Sequence, residues 1–302
     1  MMMRVATFAQ SDQMISNALR VQAVMANEQV QESSGLQSED FGGYGSGAGR
    51  VINLQVSVTR AQSYIDASQL ADNKVQVMYS AVGSVTDIIT QLRTQLSAAT
   101  TGSSTATASV INYAQQAMAQ MQGLLNTQYD GEYVFSGART DTAPADLSSF
   151  GTGTGSLTTS DTSYYKGDSE IASVRVSDSQ SISYGITADN PAFEQVMRLL
   201  KFVGNNSNLS SSDVSQALDL ASNALDATST VQAKLSTAAS QIETASTNQS
   251  DYQNFAKTLS TDLTSVDVAA VTAQLSTYQA QLTASYSAIS KIQSMNLASY
   301  LR

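Results

Sequence analysis

The C-terminal end of the chain, residues 267–301, carries its most regular hydrophobic pattern. One apolar row repeats every seven positions and consists of Val268, Leu275, Leu282 and Ile289. A second row contains Val271, Tyr278 and Ile292, with Ser285 as its polar member. Alternating steps of three and four make a narrow apolar stripe on an α-helix, which another helix normally covers. At 1.5 Å per residue this helix would be roughly 50 Å long, so it needs a long partner.

A looser helical pattern opens the chain and can provide that partner. Its apolar positions are Val5, Phe8, Ile15 and Leu19. The pattern stops at residue 33, where a segment with six glycines runs to residue 49 and predicts a bend or linker. We therefore expect the N- and C-terminal helices to pair and bring the two ends of the chain together.

A second long helix is predicted from about Arg50 to Ser97. One of its heptad rows holds through seven positions: Leu54, Ala61, Ser68, Val75, Val82, Ile89 and Leu96. Heptads sustained this long are typical of a coiled coil. A polar loop at 100–109 then precedes a third helix, predicted from about Val110 to Thr127.

The middle of the chain changes character at Gly131 and predicts short β-strands. β-Prone residues occur at 133–135, 163–166 and 173–176, and an alternating segment follows at 181–186. The two prolines, Pro144 and Pro191, lie in or at the edge of this region. Since proline costs about 3 kcal/mol in a helix interior, their placement agrees with unbroken helices on either side. We expect a small β-rich insert.

Helical patterns resume at Asn190-Pro191, where proline suits the first turn of a helix. The turn at 204–213 should end with Ser212 or Asp213 as the N-cap of the next helix. Heptads continue from Val214, and a later row contains Ala245, Tyr252, Leu259 and Val266. The pattern weakens at 261–265, just before the final helix.

These elements predict a mainly α fold. Long antiparallel coiled-coil helices, with paired N- and C-terminal helices, flank a small β-rich insert in the middle of the chain. We divide the chain into an N-terminal helix at 1–42, N-side helices at 43–130, the insert at 131–189, C-side helices at 190–263 and a C-terminal helix at 264–302.

The amino-acid composition limits the classes of function that the chain can have. Charged residues make up 13% of the chain, and its net charge of −10 argues against nucleic acid as a partner, because phosphate binding relies on Lys and Arg. The chain has no Cys and no His, so the thiolate nucleophile, the commonest general base and the commonest transition-metal ligand are all missing. We expect no enzymatic activity, no catalytic residues, no cofactor and no metal.

The chain offers no conventional route into or across a membrane. Its N-terminal segment lacks the continuous apolar core of a signal peptide, and no apolar run is long enough for a membrane-spanning helix. We expect a soluble protein without membrane insertion that leaves the cell, if it does, by another route.

Two groups of side chains in or next to the insert suggest other functions. The first contains four acidic residues: Asp130, Glu132, Asp168 and Glu170. They could bind Ca²⁺ or form a glycosidase acid and base pair, but no calcium loop is present and the insert is small for a cleft, so we expect solvated turns. The second group, Tyr164 and Tyr165, could bind sugar or a surface, and strand packing is the simpler role.

Several stretches resemble the bacterial flagellins and the flagellar hook-associated proteins. Ser33-Ser34-Gly35 stands where that family has its Ser/Thr-Gly bend, and Gln62 and Asn73 stand in the following helix as that family has them. The ending from Gln281 to Leu301 is similar to the flagellin C-terminus almost throughout. In that family the terminal helices pair into an axial coiled coil, and the middle of the chain faces outward.

Two stretches, residues 131–145 and 188–203, look specifically like the subgroup that forms the hook-filament junction, hook-associated protein 3. The segment from Tyr164 to Glu170 lies between them, as that subgroup would have it. The chain departs from the family in two ways. It lacks the basic residue after Gly35, and it carries an extra glycine-rich piece at 42–49.

The resemblance implies a structural subunit of the bacterial flagellum that joins hook to filament. It implies an extracellular location, reached through the flagellar type III export apparatus without a cleaved signal peptide. The implied partners are further copies of the chain in a ring or helical polymer, the neighbouring hook-associated protein and flagellin, with an export chaperone as a further candidate.

We predict that the terminal helices pair only when subunits stack and that both ends are disordered in the monomer, because a lone helix with one apolar stripe is marginally stable. The predicted assembly interface consists of Val5, Phe8, Ile15, Leu19, Val268, Val271, Leu275, Tyr278, Leu282, Ile289, Ile292, Leu297 and Leu301.

Two other functions stay open. A short filament flagellin, the propeller subunit itself, would share these family features and would dominate sheared filaments. A surface adhesin or carbohydrate-binding protein would use the insert, and removal of residues 137–185 would then abolish binding and leave motility intact.

Overall fold

The computed structural model describes residues 2–151, 153 and 155–294, with side chains from residue 9 to residue 292 within those ranges. Its helices are α1 (Met2–Ser34), α2 (Ala48–Ala99), α3 (Ser104–Leu125), α4 (Pro191–Asn205), α5 (Ser211–Thr264) and α6 (Val268–Ser294). Its antiparallel strand pairs are β1 (Gln128–Tyr129) with β2 (Glu132–Tyr133) and β3 (Ser173–Arg175) with β4 (Ser181–Ser183). The predicted fold class is confirmed.

The chain divides into two compact units. The terminal unit contains Met1–Thr59 and Gln253–Arg302, and the central unit contains Arg60–Tyr252. Both boundaries fall inside long helices, α2 and α5, where the sequence shows no change in composition. The five-part division of the chain stays a prediction.

In the terminal unit, α1 packs against α6. The predicted bend after α1 is present and begins at Gly35. The helix ends there because Gly35 has a positive φ of 69°, a conformation that glycine adopts easily. A short 3₁₀ helix at Phe41–Gly47 then leads into α2. The α5 helix ends at Thr264 and α6 begins at Val268, so the weak heptad stretch near 261–265 does mark a break.

The central unit has one hydrophobic core built from α2, α3, α4, α5 and the insert. Its α2 face uses the predicted heptad row, in which Val75, Val82, Ile89 and Leu96 are fully buried. The α4 helix starts as predicted, with Pro191 in its first turn and the Asn190 side chain accepting the Ala192 N–H at 3.0 Å. Its apolar face packs on α3.

The insert holds less regular strand than its sequence suggests. Each strand has two or three residues, and residues 163–166 form only a single bridge between Tyr165 and Ala145. Buried side chains such as Phe135 and Tyr164 join the helical core instead. The insert is therefore ordered by side-chain packing more than by a sheet ladder. Its first strand pair turns at Asp130 and Gly131, which both have positive φ, as tight hairpins require.

The start of α5 corrects one prediction. The helix begins at Ser211, so neither Ser212 nor Asp213 is its N-cap. Instead, the Asp213 carboxylate accepts the Ser210 N–H at 2.9 Å, and the Ser210 hydroxyl accepts the Asp213 N–H at 3.1 Å. This reciprocal arrangement is a capping box, in which Ser210 caps the helix and Asp213 occupies its third position.

Candidate assembly interface

The α1–α6 pair is held at one end by backbone hydrogen bonds. The Val266 N–H donates to the Gly35 carbonyl at 3.0 Å, and the Gln37 N–H donates to the Thr264 carbonyl at 2.7 Å. Leu36 and Ser265 form an antiparallel bridge between these two bonds. The bend after α1 is thus joined to the break before α6, which sets the register of the two terminal helices.

The buried seam on α6 follows the predicted heptads. Val271, Leu275 and Leu282 are buried, and Tyr278, Ile289 and Ile292 are partly buried. Val268 is exposed, because it stands at the first position of the helix. The narrow stripe read from the sequence therefore is the face of α6 that packs within the chain.

The seam on α1 differs from the sequence prediction. Its covered apolar residues among the described side chains are Met14, Ala18, Val21 and Met25, of which Ala18 is the most buried at 4% exposure. Ile15 and Leu19, which we expected to face the C-terminal stripe, are 38% and 59% exposed. The four covered residues are separated by steps of four, three and four, which is a helical spacing that the sequence does contain. The neighbouring Ile15 and Leu19 are more hydrophobic than most of this row of Ala, Val and Met, so hydrophobicity alone favours the wrong face of α1.

The remaining predicted interface residues lie at the ends of the chain. Val5 and Phe8 belong to the helical backbone of α1, and their side chains lie outside the described ones. Leu297 and Leu301 lie outside the described residues altogether.

Exposed apolar side chains concentrate in the terminal unit. This unit spans about a third of the chain, yet it contains twelve of the sixteen large hydrophobic side chains that are exposed among the described residues. Those on α1 and α6 are Ile15, Leu19, Val24, Val30, Val268 and Tyr286. Single exposed apolar side chains are common on any protein surface, but their concentration in one unit indicates a site of association.

The acidic residues of the insert take up turn and ion-pair roles. Glu132 pairs with Lys74 of α2 at 2.6 Å. The Asp168 carboxylate accepts the N–H groups of Ala138 and Glu170, both at 2.9 Å, and these bonds hold the pKa of Asp168 below its ordinary value. In the part of the chain that the structure describes, no cluster of three or more acidic side chains is arranged to hold a metal ion.

Tyr164 and Tyr165 serve the packing of the insert. Tyr164 is fully buried, and its hydroxyl donates to the Ala188 carbonyl at 2.8 Å. Burial raises its pKa above that of a free tyrosine. Tyr165 is partly buried and donates to the Asp168 carbonyl at 2.5 Å. The simpler of the two roles weighed for these residues therefore accounts for both.

A buried charged cluster on α4 was missed by sequence reasoning. Lys201 is 8% exposed, pairs with Asp161 at 2.8 Å and lies 4.2 Å from the centre of the Phe150 ring. One turn earlier, Arg198 pairs with Glu194 at 3.1 Å and donates to the Leu157 carbonyl at 2.8 Å. These groups fasten the irregular loop of the insert onto α4.

Comparison with known families agrees with the paired terminal helices. A model of the bacterial flagellin N-terminal helical region matches residues 5–140, and a model of the bacterial flagellin C-terminal helical region matches residues 218–301. Together these regions cover well over half of the chain. No curated protein matches the chain by sequence.

Two solved structures share the fold. A Vibrio parahaemolyticus protein named as a flagellar hook-associated protein has a TM-score of 0.61 at 16% identity, over 75% of this chain and 99% of its own. FlgL from Bacillus cereus has a TM-score of 0.55 at 16% identity, over 70% of this chain and 98% of its own. At this level of identity the likeness concerns the fold alone.

Proposed function

We propose that this chain, which belongs to the bacterial flagellin family, is the structural subunit that joins hook to filament in the bacterial flagellum. The observation that carries the proposal is the concentration of solvent-exposed hydrophobic side chains in the terminal unit, including Leu19 at 59% exposure on α1. Burial of such side chains drives association, at roughly 25 cal/mol for each Å² removed from water. The protein acts by assembly and holds its neighbours in place.

The insert supports a junction role in particular. The two stretches that resemble the junction subgroup, 131–145 and 188–203, pack together through the rings of Phe135 and Phe193, whose centroids are 5.5 Å apart. The Ala188 N–H also donates to the Phe135 carbonyl at 2.8 Å. Because the two stretches pack against each other, their resemblance to the junction subgroup concerns one structural feature of the chain. The fold likeness to hook-associated proteins agrees with this role.

The proposed neighbours follow from the role. Further copies of this chain would form a ring or helical polymer, with the adjoining hook-associated protein on one side and flagellin on the other. The chain would reach this extracellular place by flagellar type III export, with an export chaperone before assembly. Among the described residues, no helix has both the length and the hydrophobicity needed to cross a membrane.

The proposed assembly interface combines two sets of residues. Val271, Leu275 and Leu282 hold α6 against α1 within a subunit, while Ile15 and Leu19 remain available to neighbouring subunits. The α1–α6 pair is stabilised when these exposed side chains are covered, since an exposed helix pair gains stability from each additional buried contact. The ends of the chain would therefore become fully ordered only in the stacked assembly.

A deletion strain examined by electron microscopy tests the role. Loss of this chain should leave hooks without filaments and release flagellin into the medium, and the wild-type gene should restore both. A strain that makes filaments of normal length would contradict the proposal. If the missing protein proves to be the main component of sheared filaments, the chain is the propeller subunit instead.

A further inference from the structure

Two apolar patches in the terminal unit lie outside the α1–α6 pair. The α2 patch consists of Ile52 and Val56, which are 42% and 50% exposed and one helical turn apart. The α5 patch consists of Phe255 and Leu259, and Phe255, at 64%, is the most exposed large hydrophobic residue among the described side chains. Each patch is a stripe along one helix.

The opposite faces of these two helix segments are already covered. Val51 on α2 and Ala256 on α5 are buried, as is Gln253, whose amide donates to the Val58 carbonyl at 3.3 Å. Because each segment already buries one face, rotating it to hide its patch would expose that buried face. The patches are therefore covered only by another molecule.

The two patches have opposite charge around them. On α5, Asp251 precedes Phe255 by one turn and Asp262 follows it by two turns, so both carboxylates lie on the face of Phe255. On α2, residues 48–65 include Arg50 and Arg60 and no acidic residue. Arg60 lies one turn after Val56 on the same side of α2, and it forms an exposed ion pair with Asp178.

We propose that the α2 patch of one copy packs against the α5 patch of the next copy, with Arg60 close to Asp251 or Asp262. This inference rests on the proposed function and names the surfaces through which its subunits meet. The overall charge of −10 makes copies repel, so a contact between an acidic and a basic surface orients their approach.

The contact is heterologous, because the two patches are different surfaces of the chain. A heterologous contact leaves one free patch at each end of a pair, so repetition makes a ring or a helical polymer rather than a closed dimer. Phe255 is its anchor, since a large exposed aromatic side chain that becomes buried carries a large share of the energy of an interface.

Cysteine cross-linking tests the contact, because the natural chain has no Cys. The full-length variant V56C/F255C is oxidised as concentrated purified protein and in isolated flagella, and the products are separated without reducing agent. The expected result is a ladder of covalent dimers, trimers and larger species. The single variants V56C and F255C should together give a dimer when mixed, and neither should give a ladder.

The control pair is Y79C/F255C, in which Tyr79 is an exposed α2 residue of the central unit. An equal ladder from this pair would mean random collision and would overturn the inference. It is also overturned if V56C/F255C gives only monomers, if V56C alone gives dimers as efficiently, or if either cysteine links mainly to a protein of another mass. Substitution of Phe255 by Ala should raise the concentration at half-assembly by about tenfold or more.

A second readout separates this inference from the proposed function. The Y79C variant, whose cysteine lies outside both patches, is labelled with a fluorescent dye in cells, and its position on the flagellum is recorded. A label at the hook-filament boundary without a ladder overturns the α2–α5 contact and keeps the junction role. A ladder from protein that is absent from that boundary supports the contact between copies and overturns the junction role.

Discussion

The ring of Phe193 lies edge-on to the ring of Phe135, with an angle of 77° between their planes. Phe193 belongs to the first turn of α4, and Phe135 belongs to the insert. Both rings are buried to 1% exposure or less. This contact joins the insert and α4, which are far apart in the sequence, within one hydrophobic core.

Replacing Phe193 by Ala should destabilise the central unit by about 3 to 5 kcal/mol, because it removes a buried ring and leaves a cavity beside Phe135. Urea unfolding followed by circular dichroism measures the change. The matched control is F255A, which removes a 64% exposed ring and should change stability by no more than about 0.5 kcal/mol. Equal effects of the two variants would contradict the assignment of Phe193 to the core.

Replacing Asp161 by Asn should destabilise the protein by about 2 kcal/mol at neutral pH, because Lys201 then keeps a buried charge without its carboxylate partner. Burial raises the pKa of Asp161. Hydrogen bonds from Lys201 and Ser163 lower it by more than burial raises it, so the pKa of Asp161 lies below its ordinary value. A lowered native pKa adds stability above the unfolded pKa of about 3.9 and loses it as the pH falls through the native pKa. Acid titration of both proteins should therefore show their difference shrinking at low pH.

Replacing Tyr164 by Phe should cost about 1 to 2 kcal/mol, because the Ala188 carbonyl loses its buried hydrogen-bond donor. Burial raises the native pKa of Tyr164, so its contribution is present below the unfolded pKa of about 10 and falls as the pH rises above that value. Alkaline titration of tyrosinate absorbance should show Tyr164 ionising together with unfolding. The exposed Tyr79 provides the control, and Y79F should change neither stability nor the unfolding step.

Two Asp substitutions should separate pairing of the terminal helices from assembly. Leu275 is 4% exposed on the α6 seam, so L275D should reduce hydrogen-exchange protection of α1 and α6 and also prevent assembly. Leu19 is 59% exposed, so L19D should weaken assembly by roughly tenfold or more, but once assembled at high concentration it should protect α1 and α6 as the natural chain does. Normal assembly of L19D, measured by light scattering, would exclude Leu19 from the interface.

Local patterns were sufficient for the helices and for α6 in particular. Its apolar residues are large and recur at heptad spacing, so one register alone buries Leu275 and Leu282. The same reasoning failed on α1, where the seam uses Ala18 between partly buried methionines. It failed again on α5, where Tyr252 and Leu259 are exposed and Gln253 and Ala256 are buried. When a seam accepts small or polar residues, hydrophobicity alone does not identify it.

By itself, the sequence determined the helical class, the bend at Gly35, the break before α6 and the family of the chain. These depend on periodicity and on residues close together in the sequence, so they can be read without a partner in view. Only the tertiary structure decided which face of α1 is covered, how Lys201 and Asp161 meet across the insert and which apolar side chains stay bare. Those outcomes depend on which distant segments pack together, because a side chain is buried only if another part of the molecule covers it.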